Sequence, residues 1–333
     1  VYDKKTSNLL LNADMSPNTG YYRSIKNIGK VGNRGLEITL SYSPVVKKDF
    51  SWNTSFNIAF NRNKVLSLAE NQNYLLTSQG WGDDWKNIPG YVAKIGEPIG
   101  MFYGYIYEGV YKYDDFNKVG DNYVLKDNVT SNNASGTSVQ PGDIKYRDLN
   151  GDYIINEADK TEIGNPNPVH IGGFSNNFSY KGFDLNVFLQ WSYGNDILNA
   201  NRIVFESAYK YGYNQWATYA DRWTPENPDS DIPGVAAIKG NASKAYSTRV
   251  VEDGSFLRLK TVALGYNFKK EFLQGIKLKT LRIYASAQNL VTWTKYSGYD
   301  PEVSVRRSAL TPGFDFSAYP RARTITVGLN TTF

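Results

Sequence analysis

The last eleven residues, Arg323 to Phe333, read RTITVGLNTTF. Ile325, Val327, Leu329 and Phe333 fall on one parity, and Thr324, Thr326, Gly328, Asn330 and Thr332 on the other. Successive side chains of a strand point to opposite faces, so this segment is apolar on one side and small or polar on the other. Two surroundings suit it. One is an outer-membrane barrel, with lipid against the first row and water or protein against the second. The other is the closing strand of a soluble sandwich.

The same period recurs upstream. Leu36, Ile38, Leu40 and Tyr42 alternate with Glu37, Thr39, Ser41 and Ser43. Trp52, Thr54, Phe56, Ile58 and Phe60 alternate with Asn53, Ser55, Asn57, Ala59 and Asn61. A face carrying that many asparagines is wrong for a dry core. Phe174, Phe178 and Tyr180 lead into Lys181-Gly182, a two-residue hairpin turn, and Phe183, Leu185, Val187, Leu189, Trp191 and Tyr193 follow it. Residues 255–268 read as a strand whose apolar parity changes near Lys260, the mark of a bulge. Leu281, Ile283, Ala285 and Ala287 carry the next strand. Tyr91 to Ile95 and Met101 to Tyr113 are read as two more, and Asp196 to Trp223 as a stretch that can hold a helix.

The connections then alternate long and short, with 64–90, 114–166, 194–254 and 295–320 long, and 44–49, 96–100, 181–182 and 269–279 short. Outer-membrane barrels show this asymmetry, with short periplasmic turns and long extracellular loops. The expected fold is all-β, an antiparallel transmembrane barrel segment of about ten strands.

Composition agrees. There are 26 Tyr, 16 Phe and 7 Trp, residues at home where one end of a ring is apolar and the other wet. Mean hydropathy is −0.48, so a membrane helix is not expected. The net charge of +5 comes without a basic run, and nucleic acid is not an expected partner. With no Cys, thiol chemistry has no residue to use, and with a single His, His170, neither a Ser–His–Asp apparatus nor a multi-His metal site is expected.

Several stretches resemble SusC/RagA-type TonB-dependent outer-membrane transporters: NIGKVGNRGLEITL at 27–40, PGDIKYRDLNGD at 141–152, IGNPNP at 163–168 and NNFSYKGFDLNVFLQWSYGNDILN at 176–199. SFLRLKTVALGYNF at 255–268, LRIYASAQNLVTWTKYSGYDPEV at 281–303 and AYPRARTITVGLNTTF at 318–333 continue the match in family order. The resemblance implies a plugged barrel of about 22 strands, of which residues 1–333 would be the C-terminal portion, with the plug and the first barrel strands outside this chain. It further implies nutrient import of glycan fragments or peptides, a SusD/RagB-like surface lipoprotein as lid, and TonB acting through the plug. The terminal Phe333 would be the end that barrel assembly recognises.

One motif suggests a ligand directly. Asp148, Asn150, Asp152, Ile154, Asn156 and Asp159 offer side-chain oxygens, or at Ile154 a backbone carbonyl, at the spacing of a calcium loop. Tyr153 stands where that loop has Gly, and Asp159 where it has Glu. The competing reading is an Asp/Asn/Gly turn held by its own hydrogen bonds. Trp81, Trp85, Trp216 and Trp223 lie in expected extracellular loops, where they would touch cargo or lid or simply pack. Asp184, Asn186 and Gln190 are expected to face the lumen, and Asn241-Ala-Ser243 is read as a chance glycosylation sequon. Alternatives to a non-enzymatic importer are a barrel enzyme using Asp83 and Asp84 or Asp114 and Asp115, a passive porin, and a soluble sugar-binding β-protein.

Overall fold

The computed structural model describes residues 1–332 except 9, 15–22, 28, 69–71, 133–138, 209–211, 236–245, 276–277 and 304–307. The side chain of Phe333 and the sequon at 241–243 lie outside the described residues. Eight antiparallel strands form one open, curved wall: β1 (Tyr2–Thr6), β2 (Lys30–Val46), β3 (Phe50–Ser67), β4 (His170–Tyr180), β5 (Phe183–Tyr193), β6 (Phe256–Asn267), β7 (Thr280–Thr294) and β8 (Thr324–Thr332), each paired with the next in that order. Neighbours follow one another along the chain, as an up-and-down barrel requires.

The register keeps one face apolar across the wall. Leu40 opposes Phe56, Phe56 opposes Phe174, Phe174 opposes Leu189, and Leu189 opposes Leu259. Further along, Leu264 opposes Ala285 and Ala285 opposes Val327. This face is bare: Leu40 is 63% exposed and Val327 74%. The other face pairs Ser41 with Ser55, Asn53 with Asn177, Asn177 with Asn186, and Ser286 with Thr326. A soluble sandwich would bury the first face and wet the second; here the first is left to lipid.

Two aromatic layers border the apolar band. Phe60, His170 and Tyr193 cluster at the end of the long loops, and Tyr180, Phe183, Tyr266 and Phe268 at the end of the short turns. His170 and Tyr180 are the two ends of β4. Ten steps of about 3.3 Å, tilted by roughly 40°, separate them by about 25 Å along the membrane normal, the height of an outer-membrane apolar band.

Two expected wall strands are not in the wall. Pro89–Lys94 and Met101–Gly104 join Tyr74–Ser78 and Thr161–Gly164 in a separate four-stranded sheet, and Tyr107–Val110 pairs with Ile144–Tyr146. The reason is burial on both faces: Tyr91, Val92 and Ala93 are all buried, as are Phe102, Tyr105 and Tyr111. A lipid-facing strand buries at most its lumen row in protein. The wall therefore has eight described strands rather than ten. Removing an adjacent pair leaves the long–short order of connections intact, with residues 68–169 one long excursion. The expected helix within 196–223 is also smaller than its pattern: Asp196–Asn199 is a strand, Asn201–Phe205 one short α-helix and Ala217–Asp221 a 3-10 turn.

The long connections pack together beyond the outer aromatic layer. Trp85, Tyr91, Phe102, Leu198, Val204, Tyr246 and Phe314 share one core although they come from three different connections. Asp196–Asn199 binds Val251–Asp253 antiparallel and Phe314–Asp315 parallel, which ties the second and third long loops together.

A buried amide interrupts the lipid face. Asn176 lies on the apolar parity of β4, is 9% exposed, and accepts a hydrogen bond from the Trp52 indole at 3.0 Å. Trp52 also stacks on Phe178 with ring centroids 5.7 Å apart. Trp52→Phe keeps the stack and removes the donor. It is expected to cost about 1–3 kcal/mol, because an amide oxygen is then buried unpaired. Adding Asn176→Leu should recover most of the loss; urea midpoints of the refolded barrel measure both.

Candidate functional site

A cleft of about 1020 Å³ opens in the loop body between the second and third long loops. Asparagines build its frame. Asn199 Nδ2 donates to Glu252 Oε1 at 3.0 Å, and Asn201 Nδ2 to Asn199 Oδ1 at 3.0 Å. Asn201 Oδ1 accepts from the backbone N–H of Ser317 at 2.7 Å. A short chain of amides thus holds the Asn201–Phe205 helix, the Val251–Asp253 strand and the 317–320 segment in one arrangement.

The floor is charged but internally satisfied. Glu206 is paired with Arg202 at 2.8 Å and with Arg249 at 2.8 Å, and it accepts from Thr218 Oγ1 at 2.8 Å. Glu252 meets Arg202 at 3.6 Å and takes hydrogen bonds from the Ser297 backbone and hydroxyl, both at 2.8 Å. Burial pulls the Arg249 guanidinium below its ordinary value, and the neighbouring Glu206 carboxylate works against that pull. The walls are aromatic. Phe205 stacks on Trp216 at 6.1 Å, and Tyr299 and Tyr319 stand at the mouth, 81% and 92% exposed.

Of the four tryptophans singled out by sequence, the fold brings only Trp216 to this cleft. Trp85 is 2% exposed beneath Trp81, their rings nearly parallel at 4.2 Å, so Trp85 has no open face for a ligand. Trp81 donates to the Tyr246 hydroxyl at 2.7 Å. Trp223 packs against Gly142 and Tyr113 on another side of the loop body. Sequence reading missed Phe205, Arg202, Glu206, Tyr299 and Tyr319. Nothing in their local pattern separates them from ordinary loop residues, although Tyr319 stands beside a proline and Tyr299 close to one.

The wall residues are placed as their parity required. Asp184 is paired with Arg282 at 2.5 Å, Asn186 donates to Asn177 at 2.7 Å, and Gln190 borders a lumen-side recess of about 530 Å³. His170 has the partner its sequence context did not reveal: its Nδ1 accepts from the Trp191 indole at 3.1 Å. Of the acidic pairs weighed for catalysis, Asp83 is ion-paired with Lys86 and Asp115 with Lys145.

The 148–159 loop is tied by its own side chains. Asp148 accepts from the backbone N–H groups of Gly151 at 2.7 Å and Tyr153 at 2.8 Å. The buried Asp159 accepts from Leu149 at 2.9 Å and Asn156 at 2.8 Å. Tyr153 takes the left-handed backbone, φ 63°, at the position where a calcium loop has glycine. Among the described residues no group of three or more His, Asp or Glu is arranged around a common metal position.

No protein-family model matches the chain. The chain is similar over its whole length to TonB-dependent receptor P3 of Formosa agariphila, at 35% identity, and to TonB-dependent receptor SusC of Bacteroides thetaiotaomicron, at 27%. It spans about a third of each: 32% of the first and 29% of the second. Among solved structures, the RagAB peptide transporter superposes with a TM-score of 0.76 over 99% of this chain and 32% of that one, at 23% identity, which is a likeness of fold.

Proposed function

We propose, for a chain of the SusC/RagA type of TonB-dependent receptor, that it forms part of the wall and the extracellular mouth of an outer-membrane nutrient importer. The similarity along the whole chain carries this reading. The plug on which TonB would pull would be supplied by a part of the receptor outside residues 1–333. The short turns would face the periplasm and the loop body the outside, where a SusD/RagB-like lipoprotein would close over it. Cargo would be an oligosaccharide or a peptide, and the part played here is positioning, not catalysis.

The aromatic cleft supports a role in cargo or lid contact. Flat rings at its mouth offer contact area at low entropic cost, and its floor is charge-balanced. In the complete protein, Trp216→Ala combined with Tyr319→Ala is expected to lower saturable uptake of labelled cargo, or lid affinity, by about tenfold with surface expression unchanged. Uptake and lid binding both at wild-type level would remove the cleft from this account.

A further inference from the structure

The three short turns share a feature that import does not use. Lys47 and Lys48 occupy the first, Lys181 the second, and Lys269, Lys270 and Lys279 the third. All six are exposed, and none lies in an ion pair with a described carboxylate. The described acidic residues of these turns are Asp49 and Glu271 alone. At the opposite end of the wall Arg258, Lys260 and Arg321 are each held by Asp300 or Glu302.

The position of these lysines matters as much as their number. They lie directly beyond the inner aromatic layer. Lys181 Nζ is 5.3 Å from the centre of the Tyr180 ring, and Lys270 starts the short helix whose Phe272 stacks on Phe268 at 5.3 Å and is 54% exposed. Exposed rings of this kind mark the boundary between acyl chains and headgroups. Ammonium groups one step further out are at the depth of lipid phosphates, and their stems can lie along the rings.

We propose that this basic rim docks anionic phospholipid headgroups, of the phosphatidylglycerol kind, in the leaflet that the short turns face. Charge complementarity selects the partner. A zwitterionic headgroup presents no net charge to six unpaired cations, whereas an anionic one neutralises them at short range. The leaflet named rests on the proposed orientation, with short turns in the periplasm. The aromatic layer and the rim do not depend on it. Such docking would fix the depth of the wall in the bilayer during each cycle of transport.

The test uses the complete protein in phosphatidylcholine vesicles with dilute spin-labelled phosphatidylglycerol or phosphatidylcholine. The expected result is an association with the protein about threefold higher for phosphatidylglycerol, falling toward parity in roughly 1 M NaCl. It should fall likewise when Lys47, Lys48, Lys181, Lys269, Lys270 and Lys279 are all changed to Gln. Unchanged heat-modifiable migration in gels verifies that this variant is folded. Equal association of the two lipids with the unaltered protein, or a preference that survives salt and substitution, overturns the proposal. A separate arm tests the orientation. This chain has no Cys, so Lys48→Cys adds a thiol on the short-turn side, and its labelling by a membrane-impermeant maleimide is read against the protein without the substitution. Labelling only after the outer membrane is permeabilised supports the leaflet named; labelling of intact cells overturns the orientation and the leaflet with it. Lipid parity together with periplasmic labelling defeats the headgroup proposal alone.

Discussion

Replacing Arg258 with alanine is expected to release the last long loop from the wall and to cost about 3–5 kcal/mol. Arg258 is 1% exposed; its guanidinium meets Asp300 at 2.6 Å and Glu302 at 2.7 Å. Glu302 keeps Arg321, at 2.9 Å, when Arg258 is removed. Asp300 keeps only the backbone N–H groups of Glu302 and Arg321, both already engaged. A carboxylate 8% exposed at its side chain is then left without a cation, which is worse than never having buried the pair. Arg258→Lys should recover part of the loss, since one ammonium cannot span both carboxylates as the planar fork does. Protease cleavage within 295–323 while the barrel stays folded is the signature, and a cleavage pattern identical to the unaltered protein would refute the latch.

The same pair sets a pH dependence. Burial pushes the Asp300 carboxyl up, but the Glu302 N–H, the Arg258 guanidinium and the Arg321 N–H outweigh it and hold the group below the usual carboxylate range. A depressed acid contributes stability that is complete above its unfolded value, near about 3.9, and is lost as pH falls through the lower folded value. The latch is therefore closed at neutral pH and opens only in acid. In the Arg258→Ala protein it is already open at neutral pH, and most of that acid step should vanish.

How Arg258 comes to face inward shows what sequence can and cannot reveal. The apolar parity of β6 changes near Lys260, and the register shifts there: Phe188 opposes Thr261 while Leu189 opposes Leu259, leaving Lys260 as the extra residue. Without it Arg258 would point to lipid. The bulge was legible because it displaces a two-residue pattern that lipid and lumen impose on every wall strand. Its purpose was not, because Asp300 and Glu302 lie more than forty residues further along the chain. The same division runs through the molecule. Wall strands from Leu36 to Leu329 advertise their two environments in alternation. Tyr91 to Tyr111 pack large residues on both faces, and alternation says nothing about where such a strand goes. The Asn201–Phe205 helix is placed by the amides of Asn199 and Asn201 and by neighbouring loops, and the cleft combines Trp216 with Tyr319 from opposite ends of a hundred residues. Single-chain patterns record the solvent on each side of a strand, not the loop that will fold over it.

Val327 and Thr326 test that alternation directly. Val327 opposes Ala285 in the exposed apolar row, 74% exposed, and Thr326 opposes Ser286 on the polar face. The two are adjacent in the same strand and share propensity, hydrogen-bonding ladder and distance from the ends, so only the face differs. Val327→Arg is expected to destabilise the folded barrel in bilayers by about 2–4 kcal/mol, the cost of an arginine near the midplane of the lipid face. Thr326→Arg should stay within roughly 1 kcal/mol, because its guanidinium reaches water or lumen groups. If the exposed Val327 row met water instead of lipid, arginine there would be harmless, and the contrast between the two substitutions would shrink or invert. Folding titrations in bilayers, read by heat-modifiable migration, separate these outcomes. A Val327→Arg protein as stable as Thr326→Arg would mean that the apolar row does not meet lipid, and the membrane reading of the whole wall would fail with it.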